Sequence, residues 1–187
     1  LGSNILEPVK GKGSFSPDGN MLHSTDLSSG RNLLHFAVAN NDVEQIEEII
    51  ENGKIYINKR NHLEETPLHF AAIFCSIDAL QELLEYSGLD IDAQNAQGET
   101  ALHIATPGIA NENNYHKFTN ILLHYGNANI NIQDNNGDTP IHIAVRHANF
   151  EALALLLENE NVDLSILNKS NLTALSIAKN FFQNKGN

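Results

Sequence analysis

The chain has 187 residues, with 11 Lys plus Arg against 23 Asp plus Glu and a formal net charge of −12. That length is one domain's worth and can bury a continuous core. The charge keeps the chain soluble, disfavours nucleic-acid phosphates and anionic membrane surfaces, and favours basic partners. Cys75 is the single cysteine, which leaves no intramolecular disulfide framework and points to a reducing compartment, cytoplasmic or nuclear. No apolar run approaches the ~20 residues that span a bilayer, and the start lacks the basic-then-apolar pattern of a secretory signal.

Residues 1–26 carry Gly2, Pro8, Gly11, Gly13, Pro17 and Gly19 without hydrophobic periodicity and read as an extended or poorly ordered leader. Met21-Leu22 are placed to cover the first folded unit, and Leu1-Gly2-Ser3 looks like the remnant of a removed tag. From residue 27 onward a unit recurs. Asn32-Leu33-Leu34-His35-Phe36-Ala37 opens it, and Glu65-Thr66-Pro67-Leu68-His69-Phe70-Ala71-Ala72 repeats it. Glu99-Thr100-Ala101-Leu102-His103-Ile104-Ala105 and Asp138-Thr139-Pro140-Ile141-His142-Ile143-Ala144 follow, and Thr173-Ala174-Leu175-Ser176-Ile177-Ala178 closes the series. With residues 32, 66, 100, 139 and 173 as anchors, the spacing is about 34 residues, stretched to about 39 once.

Each unit reads as turn, helix, tight turn, helix. Thr66 is placed as an N-cap with Pro67 in the first helical position, where its missing N–H costs nothing. Leu68, Ala71 and Ala72 give the first helix an apolar side, and Ala79, Leu80, Leu83 and Leu84 recur at helical period in the second. Gly88 then reads as a left-handed terminator. The same logic assigns Ile46, Ile49, Ile50 and Gly53 in the first unit, and Ile121, Leu122, Leu123 and Gly126 in the third. In the fourth it assigns Leu153, Leu156 and Leu157, with Glu160 where the glycine is expected. Ile57-Asn58, Ile91-Asp92 and Ile130-Asn131 belong to connections between units. The stretch from Pro107 to His116 is about five residues longer than in the siblings and predicts a polar finger projecting between the two helices. Removing Asn111–Tyr115 is therefore expected to cost little stability.

A period near 33 residues carrying T-P-L-H-x-A resembles the ankyrin-repeat family over residues 27–187. The resemblance implies an all-α solenoid of stacked helix-turn-helix units joined by hairpin-like loops. The units fall near 27–60, 61–94, 95–133 with the insertion at 107–116, 134–167 and 168–187, the last incomplete. That incompleteness predicts a fragment of a longer protein. The resemblance also implies that His35, His69, His103 and His142 brace turns through local hydrogen bonds. Stacked helices would set them roughly 8–10 Å apart, too far to share a zinc ion with bonds of about 2.0–2.1 Å. His116 and His124 have no Cys or carboxylate cluster beside them, so no metal is expected.

Other chemistry finds little support. Lys10-Gly11-Lys12-Gly13-Ser14 lacks the G-x-x-x-x-G-K-[ST] spacing of a phosphate loop. Cys75 falls where such units end their first helix with glycine and reads as a small, half-buried thiol. Asn168 and Asn171 begin glycosylation sequons, yet Thr173 belongs to a helix-starting turn. No catalytic residue and no cofactor are expected.

The family resemblance implies function as a protein-binding module, with a concave groove formed by the hairpin tips and the exposed side of the first helices. The tips supply His62, Leu63 and Glu65; Ala96, Gln97 and Glu99; Asn135, Asn136 and Asp138; and Lys169 with Ser170. The helices supply Ala39 and Asn40, Ile73 and Phe74, and Arg146 and His147, and the insertion adds Tyr115. Ile73, Phe74 and Leu63 stand out as apolar where the others are polar, and either form the centre of the contact or pack beneath the insertion. Glu64, Glu65 and Glu99 beside them suit a Lys- or Arg-bearing protein or peptide bound by a monomer. Three rival readings share the fold: an inhibitor of a transcription factor resembling the IκB-type proteins, weakened by the lack of an Asp-Ser-Gly segment in residues 1–26; the ankyrin segment of an enzyme such as a bacterial effector acting in a host cytosol; and a purely structural stack that positions neighbouring domains.

Overall fold

The computed structural model describes residues 30–51, 56–107 and 112–183. The leader with Lys10–Ser14 and Met21-Leu22, Gly53, and residues 108–111 of the insertion lie outside the described residues. Within them are α1 (Leu33–Ala39), α2 (Val43–Glu51), α3 (Pro67–Phe74), α4 (Ile77–Leu84), α5 (Ala101–Ala105), α6 (Glu112–His124), α7 (Pro140–Arg146), α8 (Phe150–Glu158) and α9 (Ala174–Gln183). Among the described residues there is no β-strand, and no helix is long and apolar enough to cross a membrane.

The helices stack in two rows. The inner row runs α1, α3, α5, α7, α9 and the outer row α2, α4, α6, α8, each helix packing on its row neighbour, with α1 to α8 pairing as successive hairpins across the rows. No single hairpin has enough apolar surface to fold alone, so the core is continuous between units. Leu34, Leu68, Leu102 and Ile141 hold the same place in successive inner helices and are all buried, as are Ile46, Leu80, Leu83, Leu122 and Leu156 in the outer row. Ala37, Ala71, Ala72, Ala105 and Ala144 are buried between them; a methyl group in place of a longer chain lets neighbouring helices approach closely.

The helix starts follow the sequence. Thr66, Thr100 and Thr139 are extended N-caps, each with His three residues on in the role usually taken by Glu. Asn32 does the same for α1, its side chain accepting the His35 N–H at 3.1 Å. Thr173 Oγ1 accepts the Ser176 N–H at 3.2 Å, so the hydroxyl in the second sequon caps α9. Helix ends are less regular. Cys75 closes α3 in the left-handed region at φ 52°, and Asn41 and Ala148 take the equivalent slot after α1 and α7. Gly88 is left-handed but lies three residues beyond the α4 cap, Glu85, so it shapes the following turn and does not terminate the helix. After α6 the left-handed residue is Asn127. Gly126 is needed for space, since a Cβ there would meet the Leu122 carbonyl oxygen at 2.7 Å.

The insertion departs from the predicted finger. Its residues from Glu112 onward are helical and lengthen α6 to 13 residues, against eight or nine in the other outer helices. At the same time α5 has only five residues, where α1, α3 and α7 have seven or eight. Pro107 explains the shortening: it has no N–H to donate to the His103 carbonyl, so the helix cannot add another turn. Tyr115 is not on a free loop. It is half-buried against the core, and its hydroxyl donates to the Ile73 carbonyl oxygen at 3.1 Å. Loss of Asn111–Tyr115 would remove that tie and the first turn of α6, so the expected small cost of the deletion no longer follows.

Thr119 occupies the register of Ile46, Leu80 and Leu153. Its side chain is buried and its hydroxyl has no hydrogen-bond partner among the described residues. A buried hydroxyl without a partner costs ~1–3 kcal/mol. Thr119→Val keeps the shape and removes that cost, so thermal melts should show stability raised by about 1 kcal/mol, roughly 2–4 °C in Tm for a protein of this size. A lowered Tm would mean that the hydroxyl has a partner after all.

Candidate functional site

Four residues that look unremarkable in the sequence shape the hairpin tips. Asn61, Asn95, Asp134 and Asn168 lie five residues before Thr66, Thr100, Thr139 and Thr173. Each accepts two backbone N–H groups through one side-chain oxygen: from Leu63 and Glu65, Gln97 and Glu99, Asn136 and Asp138, and Ser170 and Leu172. This is Asx-turn chemistry, which folds the backbone by substituting a side chain for a main-chain acceptor. Successive tips are then joined by their backbones: Ala96 N–H donates to Leu63 O, Asn135 to Gln97 O and Lys169 to Asn136 O, each at 2.9 Å. Gly98 and Gly137, at φ +76° and +77°, have the next tip so close that a Cβ would meet Asn135 Oδ1 and Lys169 N at 2.7 Å; glycine provides both the left-handed turn and the approach.

The histidines bind each unit to the next. The Nε2 atoms of His35, His69, His103 and His142 face the carbonyl oxygens of Glu65, Glu99, Asp138 and Leu172 at 3.0–3.2 Å. A carbonyl only accepts, so the proton resides on Nε2. Nδ1 of His69, His103 and His142 therefore accepts, from the backbone N–H and the hydroxyl of its capping threonine. Burial holds His35 down to about 4 and also lowers His69 and His103. These rings are neutral at pH 7 and add no positive charge to the groove. Among the described residues, no group of three or more His, Cys, Asp or Glu is arranged to hold a metal ion.

Between units two, three and four the inner face opens into a cavity of about 400 Å³. Of the residues expected in the groove, Glu65, Ile73, Gln97, Glu99, Asn136, Asp138 and His147 line it together. Asn95, His103, Ile104, Pro107, Asp134 and Ile143 complete its wall and are absent from the groove expected from the sequence. Ile104 and Ile143 share the register of Phe36 and Phe70, a signal available in the repeat alignment. Asp134 is the tip-shaping residue of its unit.

Glu65 and Glu99 are half-buried, each accepting one amide hydrogen bond, from Asn61 and Asn95 at 2.7 and 3.1 Å. Asp134 accepts from its own tip, including the Asn136 amide. None of the three has a cationic partner among the described residues. Asp138 differs from the exposed tip residue expected. It is buried, ion-paired to Arg146 at 3.0 Å, and accepts from Asn168 Nδ2 at 2.7 Å. That pair gives the Asp138 carboxylate a counter-charge within the protein, while 45 % of the Arg146 side chain stays exposed.

The remaining predicted positions lie around the cavity or apart from it. Asn40 is exposed at the end of α1. His62 is exposed against Gly30. Asn135 is exposed, and its side chain donates to Ala96 O at 2.9 Å. Leu63, Ile73 and Phe74 are 50, 38 and 40 % exposed. Phe74 is partly committed to packing, its ring 6.0 Å from that of Phe70, which itself meets His35 edge-on at 5.0 Å. Tyr115 is tied to Ile73 as described. Cys75 is a half-buried thiol that burial pushes up, the reverse of an activated nucleophile.

Family models for ankyrin repeats match residues 34–111 (three copies), 97–135 (a single repeat) and 122–178 (many copies). A search of curated proteins finds no match. Ankyrin repeats are in general non-catalytic modules for protein–protein interaction. The capped inner helices, the bracing histidines and the stitched tips agree with those matches across residues 34–178. This chain belongs to the ankyrin-repeat family.

Proposed function

We propose that this chain binds another protein or peptide in its concave groove, as the recruiting module of a longer intracellular protein, and that the partner is basic. The observation that carries this reading is a pairing on the second and third units. Leu63, Ile73 and Phe74 are exposed apolar side chains, and Glu65 and Glu99 nearby lack a cation among the described residues. Apolar anchors rimmed by charge are the usual form of an interface centre, and uncompensated carboxylates favour partners with Lys or Arg.

Phe74→Asp tests the reading. Phe74 is 40 % exposed, so the variant should keep the helical circular dichroism of the wild type while losing partner capture. Affinity capture from a cell lysate, with the two proteins side by side and bound proteins identified by mass spectrometry, reads the outcome. A partner retained by both proteins would move the binding surface away from this groove. Loss of helicity would show that Phe74 is core.

A further inference from the structure

The cavity on the inner face exists because α5 is short. Position by position, Ile73 and Arg146 belong to the last turns of α3 and α7. The third unit has Pro107 in that register, beyond the end of α5. The missing turn leaves a notch between α3 and α7. Ile73, Ile104, Pro107 and Ile143 form its apolar part, with Glu65, Glu99 and Asp134 on the tip side. The notch is held open from both directions. Asn149 Nδ2 donates to the Thr106 carbonyl at 2.8 Å, fixing the end of α5 against the fourth unit, and the Tyr115 hydroxyl fixes the end of α3. At about 400 Å³ it lies at the small end of the range that ligand sites occupy, roughly 300–1,000 Å³.

We infer that this notch is the specificity pocket of the groove, and that it receives one Lys or Arg side chain of an extended partner peptide. This inference rests on the groove-binding reading above. Lys and Arg carry an apolar stem with a charged head, and the notch offers the matching order: isoleucine methyls on the floor, carboxylates at the tips. Asp138 is neutralised by Arg146 and His103 is neutral, so the field at the pocket comes from Glu65, Glu99 and Asp134. An acidic or purely apolar side chain would leave those carboxylates dehydrated without a counter-charge.

The test uses the full chain with isoleucine methyl labelling for NMR. The probes are nine-residue alanine-based peptides with leucine two residues to either side of a central Lys, Arg, norleucine, Gln or Glu. The Lys and Arg peptides should shift the methyls of Ile104 and Ile143 and bind at least tenfold more tightly than the Gln and Glu peptides. The preference should weaken as salt is raised. Glu99→Gln, which preserves the acceptor for Asn95, should cut the preference to threefold or less. Equal binding by all five peptides, shifts confined to other isoleucines, or no binding up to millimolar concentration would overturn the assignment. If Phe74→Asp abolishes capture of a cellular partner while Ile104 and Ile143 stay silent to every peptide, the groove reading stands and the pocket falls. If Phe74→Asp has no effect on capture either, both fall.

Discussion

Between pH 7 and pH 4 the stack is expected to lose several kcal/mol of stability, through groups that are not acids. His35 is fully buried, and its ring is held down to about 4 by that burial, against an ordinary value of 6.5 in the unfolded chain. Below pH 6.5 the unfolded chain takes up a proton that the folded ring refuses, so stability falls as pH falls. The contribution is fully present above about pH 6.5 and lost progressively down to about pH 4, on the order of 3 kcal/mol for this residue alone. His69 and His103 are lowered by the same cause and act in the same direction. Thermal melts across this range should show a falling Tm, and NMR titration should leave the His35 ring neutral at pH 5. A His35 ring titrating near 6.5 would sink the argument.

Leu83→Ala should be the most damaging of the simple truncations, by ~2–5 kcal/mol. Leu83 is fully buried in α4, the outer helix that packs against both α2 and α6. The cavity left behind would therefore loosen three units at once. Urea denaturation should show a lower midpoint, with the slope showing whether the units still unfold together. A cost below 1 kcal/mol would mean that the outer row repacks more freely than this arrangement allows.

The repeat register made most of the fold legible: the threonine caps, the proline starts, the apolar faces and the left-handed slot at Cys75 all follow from local rules. What escaped the sequence depends on the interplay of two elements. Pro107 has an unambiguous local meaning, but its effect on the groove requires knowing that α3 and α7 flank the gap it leaves. Tyr115 was legible as a residue of a polar insertion, whereas its hydrogen bond to Ile73 joins residues 42 apart in sequence. Asp138 reads from the sequence as an exposed tip residue, and only the packed structure brings Arg146 and Asn168 to its carboxylate. Asn61, Asn95, Asp134 and Asn168 recur in register and were visible as a pattern, but their role in shaping the tips lies outside the motif that drew attention.

The bracing histidines point in one direction. In every pair the imidazole donor belongs to the earlier unit and the carbonyl acceptor precedes the next inner helix. During synthesis the N-terminal part of a chain is available to fold first. Each new unit therefore emerges beside a donor already in place, and by docking it supplies the acceptor that the preceding ring lacks. Along the chain, each docked unit thus completes the polar pairing of the unit before it.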